Sequence, residues 1–286
     1  MERLVKFICE RYSIFLKRRS GLPPPWTTDP ILREYRFCNV CREDDKVTKW
    51  VASHWRAPNE DVPELWFAMY VARVFNTPAT LAAVGFPVPF DGRGMAAKLK
   101  MIDGVVWSSA YVITTHGQEC AKAEFYCERV FPALWERRRE FQYINGAALS
   151  EWHSRFVTAF GVGMFLGAQV VADMKYISSW RPALDWWTFS ASGPGSRRGL
   201  NRVLGRPVDA HWSETEWRQR LGEIYEQYKN QTHDIAILPR LHAQDLQNCL
   251  CEFDKYERVR LGEGRPRQRY HYPQAELGLK EKLCTY

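Results

Sequence analysis

With 286 residues and 45% hydrophobic content the chain is large enough to bury a substantial core, which excludes a disordered or fibrous protein. Forty Lys and Arg against 33 Asp and Glu leave a formal charge of +7, an excess that favours phosphate-bearing partners without establishing nucleic-acid binding by itself. The longest apolar run, Val162 to Val171, is too short to cross a bilayer and is broken by Gly167 and Gln169, so no membrane partner is expected.

In chain order, residues 2–18 place Leu4, Val5, Ile8, Tyr12 and Phe15 at helical spacing, with Lys17, Arg18 and Arg19 at the end that suits cations. Gly21-Leu22-Pro23-Pro24-Pro25 stops that helix. The polar and aromatic stretch from Arg36 to Asp45 follows. Glu64 to Phe75 reads as a buried helix, and Asn76-Thr77-Pro78 ends it and starts a short one through Val84. Val105 to Thr115, rich in β-branched and aromatic residues, is a short strand pair or an irregular segment. Gln118 to Arg139 reads as a long helix kinked or divided at Pro132. Further helices are expected over Ser150–Phe160, Met164–Ile177, Gly199–Leu204, Glu214–Asn230 and Asp245–Arg258, the fourth opened by a capping box of Ser213 and Glu216. The expected architecture is mainly α, one two-lobed domain over 1–286 with lobes at 30–145 and 150–270 and a tail at 271–286.

Eight cysteines follow no disulfide spacing and no secretory segment precedes them, so a reducing, cytoplasmic compartment is expected. Cys38-x-x-Cys41 is half of a zinc ligand set, but Cys249-x-Cys251 has the wrong spacing to complete it and falls on a helix. The chain contains no Gly-x-x-x-x-Gly-Lys-Ser/Thr loop, no dinucleotide fingerprint and no nucleophile elbow.

Three motifs carry chemistry. In Gly193-Pro194-Gly195-Ser196-Arg197-Arg198-Gly199-Leu200, a glycine-flanked turn before a helix start leaves backbone N–H groups for a phosphate. Ser196 caps the following helix, Arg197 and Arg198 add charge, and Gly199 permits close backbone approach; the alternative is an ordinary glycine-capped connection. In Gln244 to Tyr256, helical spacing puts Asp245, Asn248, Glu252 and Lys255 on one face, with Asp254 beside them, either as an acid–amide–acid–base line or as a solvated face with a Glu252–Lys255 pair. In Arg36 to Asp45, Asn39, Arg42 and Glu43 are candidates to bind polar groups beside Phe37 and Trp50. Lys175, after the apolar Met164–Val171 run, is a further candidate cation. Arg258, Arg260, Arg265, Arg267 and Arg269 form a basic cluster, of which Arg265 and Arg267 lie on a loop and join Gly193, Gly195, Ser196, Arg197 and Arg198 as candidate DNA contacts.

The ordered set of these motifs resembles the bacteriophage α-glutamyl/putrescinyl thymine pyrophosphorylases, also called amino acid:DNA transferases, over about residues 30–270. The resemblance implies a fold similar to helix-hairpin-helix DNA glycosylases. It implies double-stranded DNA as substrate, carrying 5-hydroxymethyluracil already activated as a pyrophosphate ester by a 5-hydroxymethyluracil DNA kinase, and an amino acid or polyamine that displaces the pyrophosphate in the cytoplasm of a phage host. Such chemistry needs base flipping, cations for the leaving group and a base for the amine. Arg36, Arg42, Lys175 and Lys255 are the candidate cations, with a divalent metal ion as the one cofactor the reaction leaves room for. Asp245 or Glu252 is the candidate base, and Lys255 and Asp254 complete the set of candidate catalytic residues. A DNA glycosylase and a non-catalytic DNA-binding protein are the competing expectations.

Overall fold

The computed structural model describes residues 1–270 except 112, 234, 236 and 237, so the expected tail at 271–286 lies outside the described residues. The helices are α1 (Glu2–Arg19), α2 (Pro30–Glu34), α3 (Lys46–Val51), α4 (Leu65–Phe75), α5 (Pro78–Val84), α6 (Gly92–Lys100), α7 (Lys122–Glu124), α8 (Phe131–Glu136), α9 (Leu149–Phe156), α10 (Met164–Met174), α11 (Pro194–Leu204), α12 (Glu214–Thr232) and α13 (Ala243–Arg260). The protein is mainly α, and the β pairing found among the described residues is an isolated antiparallel bridge between Tyr35 and Arg269. The chain divides into two compact units: a terminal unit, Met1–Asp44 with the described residues from Ser192 onward, and a central unit, Asp45–Ala191. The division therefore interleaves along the chain and does not fall near residues 145–150.

In the central unit, α4 is buried on every face and apolar except for Arg73. Trp66 meets Phe141, Trp152 and Phe156, while Phe67 meets Phe90, Phe131 and Trp135, edge to face or tilted in each case. Arg73 of α4 is buried with them and grips Asp173 of α10, with Nε 2.6 Å from Oδ2 and a second nitrogen 2.5 Å from Oδ1. Arg73 also donates to Asn76 and Thr48, each at 3.2 Å, so this charge is fully engaged within the core. Residues 105–115 form no strand at the described positions. Their backbone is drawn instead onto α4 and α5: the Ser108 N–H donates to Phe75 O and the Thr80 hydroxyl to Val106 O, and Trp107 packs on Phe75. The expected helix at 118–139 is divided, a π-helical Phe125–Val130 absorbing the break before Pro132.

In the terminal unit, α1, α12 and α13 share one apolar core that includes Phe7, Ile8, Trp217, Tyr225, Leu246 and Leu250. The buried stripe of α1 is Leu4, Phe7, Ile8 and Ile14, rotated from the expected one because Phe7 packs among Phe37, Phe253 and Tyr256. The capping box of α12 is present: the Glu216 N–H donates to the Ser213 hydroxyl at 3.2 Å and the Ser213 N–H to the Glu216 carboxylate at 3.0 Å. The helix α11 begins at Pro194, earlier than Gly199, and no helix is joined to it by a short turn, since α10 ends at Met174 and lies in the central unit. The glycine-rich segment is thus the N-terminus of a helix and not the bend of a hairpin between two helices.

Candidate active site on the face of α13

The line of residues expected on one face of α13 is assembled in the terminal unit. Asp245, in the first turn, accepts the Arg42 backbone N–H at 3.0 Å, and Glu252, two turns on, accepts the Cys38 N–H at 3.0 Å. Asn248 between them donates to the Asn39 carbonyl at 3.4 Å. One helix face therefore docks the 38–42 loop at three points, and the Asn39 side chain closes the loop on Asp44 O at 3.0 Å. The Lys255 ammonium lies 2.5 Å from Glu252 and 4.7 Å from the centre of the Phe37 ring. The Arg42 guanidinium is buried and 3.7 Å from Glu43. Arg36 is exposed, and its N–H donates to Gln268 O at 3.2 Å.

Two groups complete this arrangement that the sequence reading did not single out. His242, at the position that caps α13, holds Nδ1 2.9 Å from the Asp245 carboxylate. Arg11 of α1 donates to Phe37 O at 3.0 Å and to Cys38 O at 2.9 Å, so the loop is held through its carbonyls by α1 and through its N–H groups by α13. Burial pulls the Arg11 guanidinium below its usual range, opposed first by Glu252. The signal for Arg11 is a charged residue on the buried side of an amphipathic helix. For His242 it is its place one residue before a helix start.

Two thiols of α13 lie beside this face. Burial pushes Cys249 well up and Cys251 up to about 11, which keeps both protonated near neutral pH. Among the described residues no group of three or more His, Cys, Asp or Glu is arranged to hold a metal ion.

Other expected site residues lie elsewhere. Asp254, expected beside the catalytic line, faces α11 and is a buried anchor for arginines: Arg198 and Arg202 each place Nε 2.9 Å from it, and Arg258 approaches to 3.7 Å. Lys175 belongs to the central unit, fully buried, where its ammonium donates to Trp186 O at 2.6 Å and sits over the Trp186 ring. Arg197, expected at a phosphate, spends its donors inside the terminal unit on Ser192, Trp212 O and Glu214. Ser196 lies inside α11 and not ahead of it as expected: Gly193 is the N-cap, and the Ser196 hydroxyl accepts the Gly193 N–H at 2.9 Å.

The glycines of α11 have a packing role. A Cβ on Gly195 would lie 2.4 Å from Cys251 Sγ, and one on Gly199 2.1 Å from Leu250 O, whereas Gly193 faces open space. Gly195 and Gly199, one turn apart, let α11 and α13 touch backbone to backbone. Beside that contact Arg198 and Arg258 converge on Asp254 and are partly open, and Arg265 and Arg267, past the end of α13, are exposed.

No helix of the described residues is long and apolar enough to cross a membrane. A relative named 5-hmdU DNA kinase, from Bacillus phage SP10, is 25% identical over 223 residues, 69% of this chain and 35% of the relative, so the chain spans about a third of that protein. No solved structure matches the chain. A family model described as "5-hmdU DNA kinase, helical domain" matches residues 1–265; it does not single out the thymine pyrophosphorylases that the motifs resemble, and it covers α1 as well as the three motifs. The chain belongs to the family of 5-hmdU DNA kinase helical domains.

Proposed function

We propose that the chain acts in phage thymine hypermodification on DNA that carries 5-hydroxymethyluracil, and that it replaces the pyrophosphate of the activated base with an amine. The observation that carries the reading is the docking of the 38–42 loop on Asp245, Asn248 and Glu252, which brings two of the three motifs into one polar site. In the reaction the bond between the base methylene and the ester oxygen breaks, pyrophosphate leaves with the electron pair, and a carbon–nitrogen bond forms. The amine must shed a proton, and the His242–Asp245 pair is the group suited to take it, because Glu252 is neutralised by Lys255. Arg42 within the loop, Arg11 bonded to its carbonyls and Lys255 over the Phe37 ring are the cations beside it. Arg198, Arg258, Arg265 and Arg267 supply a backbone-binding surface, which raises local DNA concentration without reading bases.

A second reading is favoured by the family description and by the absence of a phosphate-binding Gly-Lys-Ser/Thr loop from these 286 residues: a helical module that holds DNA for phosphoryl transfer carried out elsewhere. The test is mass spectrometry of nucleosides after incubating the chain with DNA bearing the pyrophosphate ester and a panel of amines. A new amine adduct, lost in His242→Gln with DNA binding retained, is expected. DNA binding with no adduct from any amine overturns the transferase reading in favour of the module, and abasic sites would point to a glycosylase.

A further inference from the structure

Asp254, which the proposed reaction leaves unused, is a carboxylate only 1% exposed that gathers three guanidinium groups. Arg198 and Arg202 stand four residues apart on one face of α11, and Arg258 stands four residues after Asp254 on α13. The three arginines are spent differently. Arg202 gives Nε to Asp254 Oδ1 at 2.9 Å and both terminal nitrogens to Glu263, and its side chain is 9% exposed. Arg198 gives Nε to Oδ2 at 2.9 Å, and no acceptor among the described residues meets its terminal nitrogens. Arg258 turns Nε toward the same Oδ2 at 3.7 Å, beyond hydrogen-bond length, and its terminal nitrogens are equally unmet. These two side chains are 34% and 38% exposed, so their open nitrogens face solvent.

A guanidinium carries five N–H donors in a planar fork, so its Nε edge can bind a protein carboxylate while the terminal nitrogens stay open to an oxyanion. One buried oxygen thus orients two forks, one from each helix, before any ligand arrives. Preorganisation of this kind removes part of the side-chain entropy that a free surface arginine loses on binding. Three arginines against the two carboxylates Asp254 and Glu263 leave an excess positive charge at the opening. A phosphate has oxygens in several directions and can accept from two forks at once, whereas a planar carboxylate serves one.

We infer that Arg198 and Arg258 clamp one phosphate group between them, and that Asp254 is the positioning residue that aims them. The inference rests on the DNA-contact part of the proposed function and not on its transfer step. Fluorescence anisotropy with a labelled, unmodified DNA duplex at fixed salt, and calorimetry with inorganic pyrophosphate, compare the full chain with Arg198→Lys, Arg258→Lys and Asp254→Asn. Lysine keeps the charge, but its single nitrogen lacks the two edges that hold the carboxylate and the phosphate together. Each lysine variant should weaken DNA binding about tenfold, the loss of one charge-assisted hydrogen bond, while Arg267→Lys, at an exposed arginine with no ion pair among the described residues, should not. For Asp254→Asn the sign decides. Removing a negative charge strengthens DNA binding if the arginines act as point charges, and weakens it if the carboxylate aims them, since an amide has one acceptor oxygen for Arg198 and Arg202. Should that variant fail to fold, the two lysine variants decide alone. Weakening confined to DNA assigns the phosphate to the backbone; pyrophosphate binding that the same variants abolish assigns it to a free diphosphate. DNA binding unchanged in both lysine variants, or stronger in folded Asp254→Asn, overturns the clamp and leaves the DNA reading standing. A parent chain that binds neither probe overturns both.

Discussion

Replacing Gly199 by Ala separates the two roles open to this glycine. The added Cβ would lie 2.1 Å from Leu250 O, 2.7 Å from its carbonyl carbon and 3.2 Å from its Cα, all backbone atoms of α13 that cannot rotate aside. Weak C–H···O contacts sit near 3.3 Å, so α11 and α13 must part by about 1 Å at the crossing. A gap of that size forfeits a quarter to a half of each affected dispersion contact, and overpacking of this kind costs about 1–3 kcal/mol. The same substitution gains about 1 kcal/mol of helix propensity. Gly222 supplies the internal control: it lies exposed within α12, its added Cβ meets nothing, and Gly222→Ala keeps the propensity gain alone. Guanidinium melts followed by far-UV circular dichroism should place Gly222→Ala slightly above the parent and Gly199→Ala about 1–3 kcal/mol below Gly222→Ala. Gly195→Ala should fall between them, because its clash is with a rotatable thiol. A Gly199→Ala midpoint equal to that of Gly222→Ala would refute the packing argument and return this glycine to a role at a phosphate.

The two turn arginines should behave differently. Arg198→Gln should reduce the slope of log affinity for DNA against log salt by about 0.9, the share of one phosphate contact, while Arg197→Gln, whose donors are spent internally, should lower stability and leave the slope alone; equal slope changes would contradict this. Burial alone would raise the Glu214 carboxyl, but Ser192, Arg218 and Arg197 outweigh it and hold it below its usual range. Its stabilisation is therefore present above the unfolded carboxylate pKa, about 4.3, and is lost as pH falls through the lower folded value; Glu214→Gln should flatten the acid limb of a stability profile measured below that pH. Asp173→Asn leaves the Arg73 charge buried beside a neutral amide and should cost about 3–5 kcal/mol, read as a large loss of denaturation midpoint with the fold otherwise retained.

Much of the site was legible because helical periodicity is a short-range property. The face of Asp245, Asn248, Glu252 and Lys255 followed from steps of three and four, and each of them meets the 36–44 segment or a neighbour on that face. The same local logic found Ser213 and Glu216. It failed where a residue's role is set by distant partners. Asp254 differs from Glu252 by two positions, about 200° of helix, so one carboxylate faces the loop and the other faces Arg198 and Arg202. Lys175 looked like a cation at the mouth of a cleft because it follows an apolar run, but the run continues into the core and takes the lysine with it. Glycines at 195 and 199 read equally well as phosphate access or as helix contact, and only the position of Leu250 and Cys251 distinguishes them. Within 105–115, Val106, Trp107, Tyr111 and Ile113 pack against the central core, and side-chain burial selects the same residue types whether or not a partner strand exists.

The terminal unit is sewn from both ends of the chain, with α1 and the 36–44 segment waiting for α13, some two hundred residues downstream. The central unit is contiguous. On the ribosome the central unit can therefore collapse while the first helix, which meets Trp26 and the Phe37 segment early, still lacks the apolar faces of α12 and α13. At about 5–20 residues per second that interval is on the order of ten seconds or more, long compared with collapse. The catalytic face proposed for α13 is thus assembled after the central unit, and a ribosome that stalls before it leaves the apolar stripe of α1 incompletely covered.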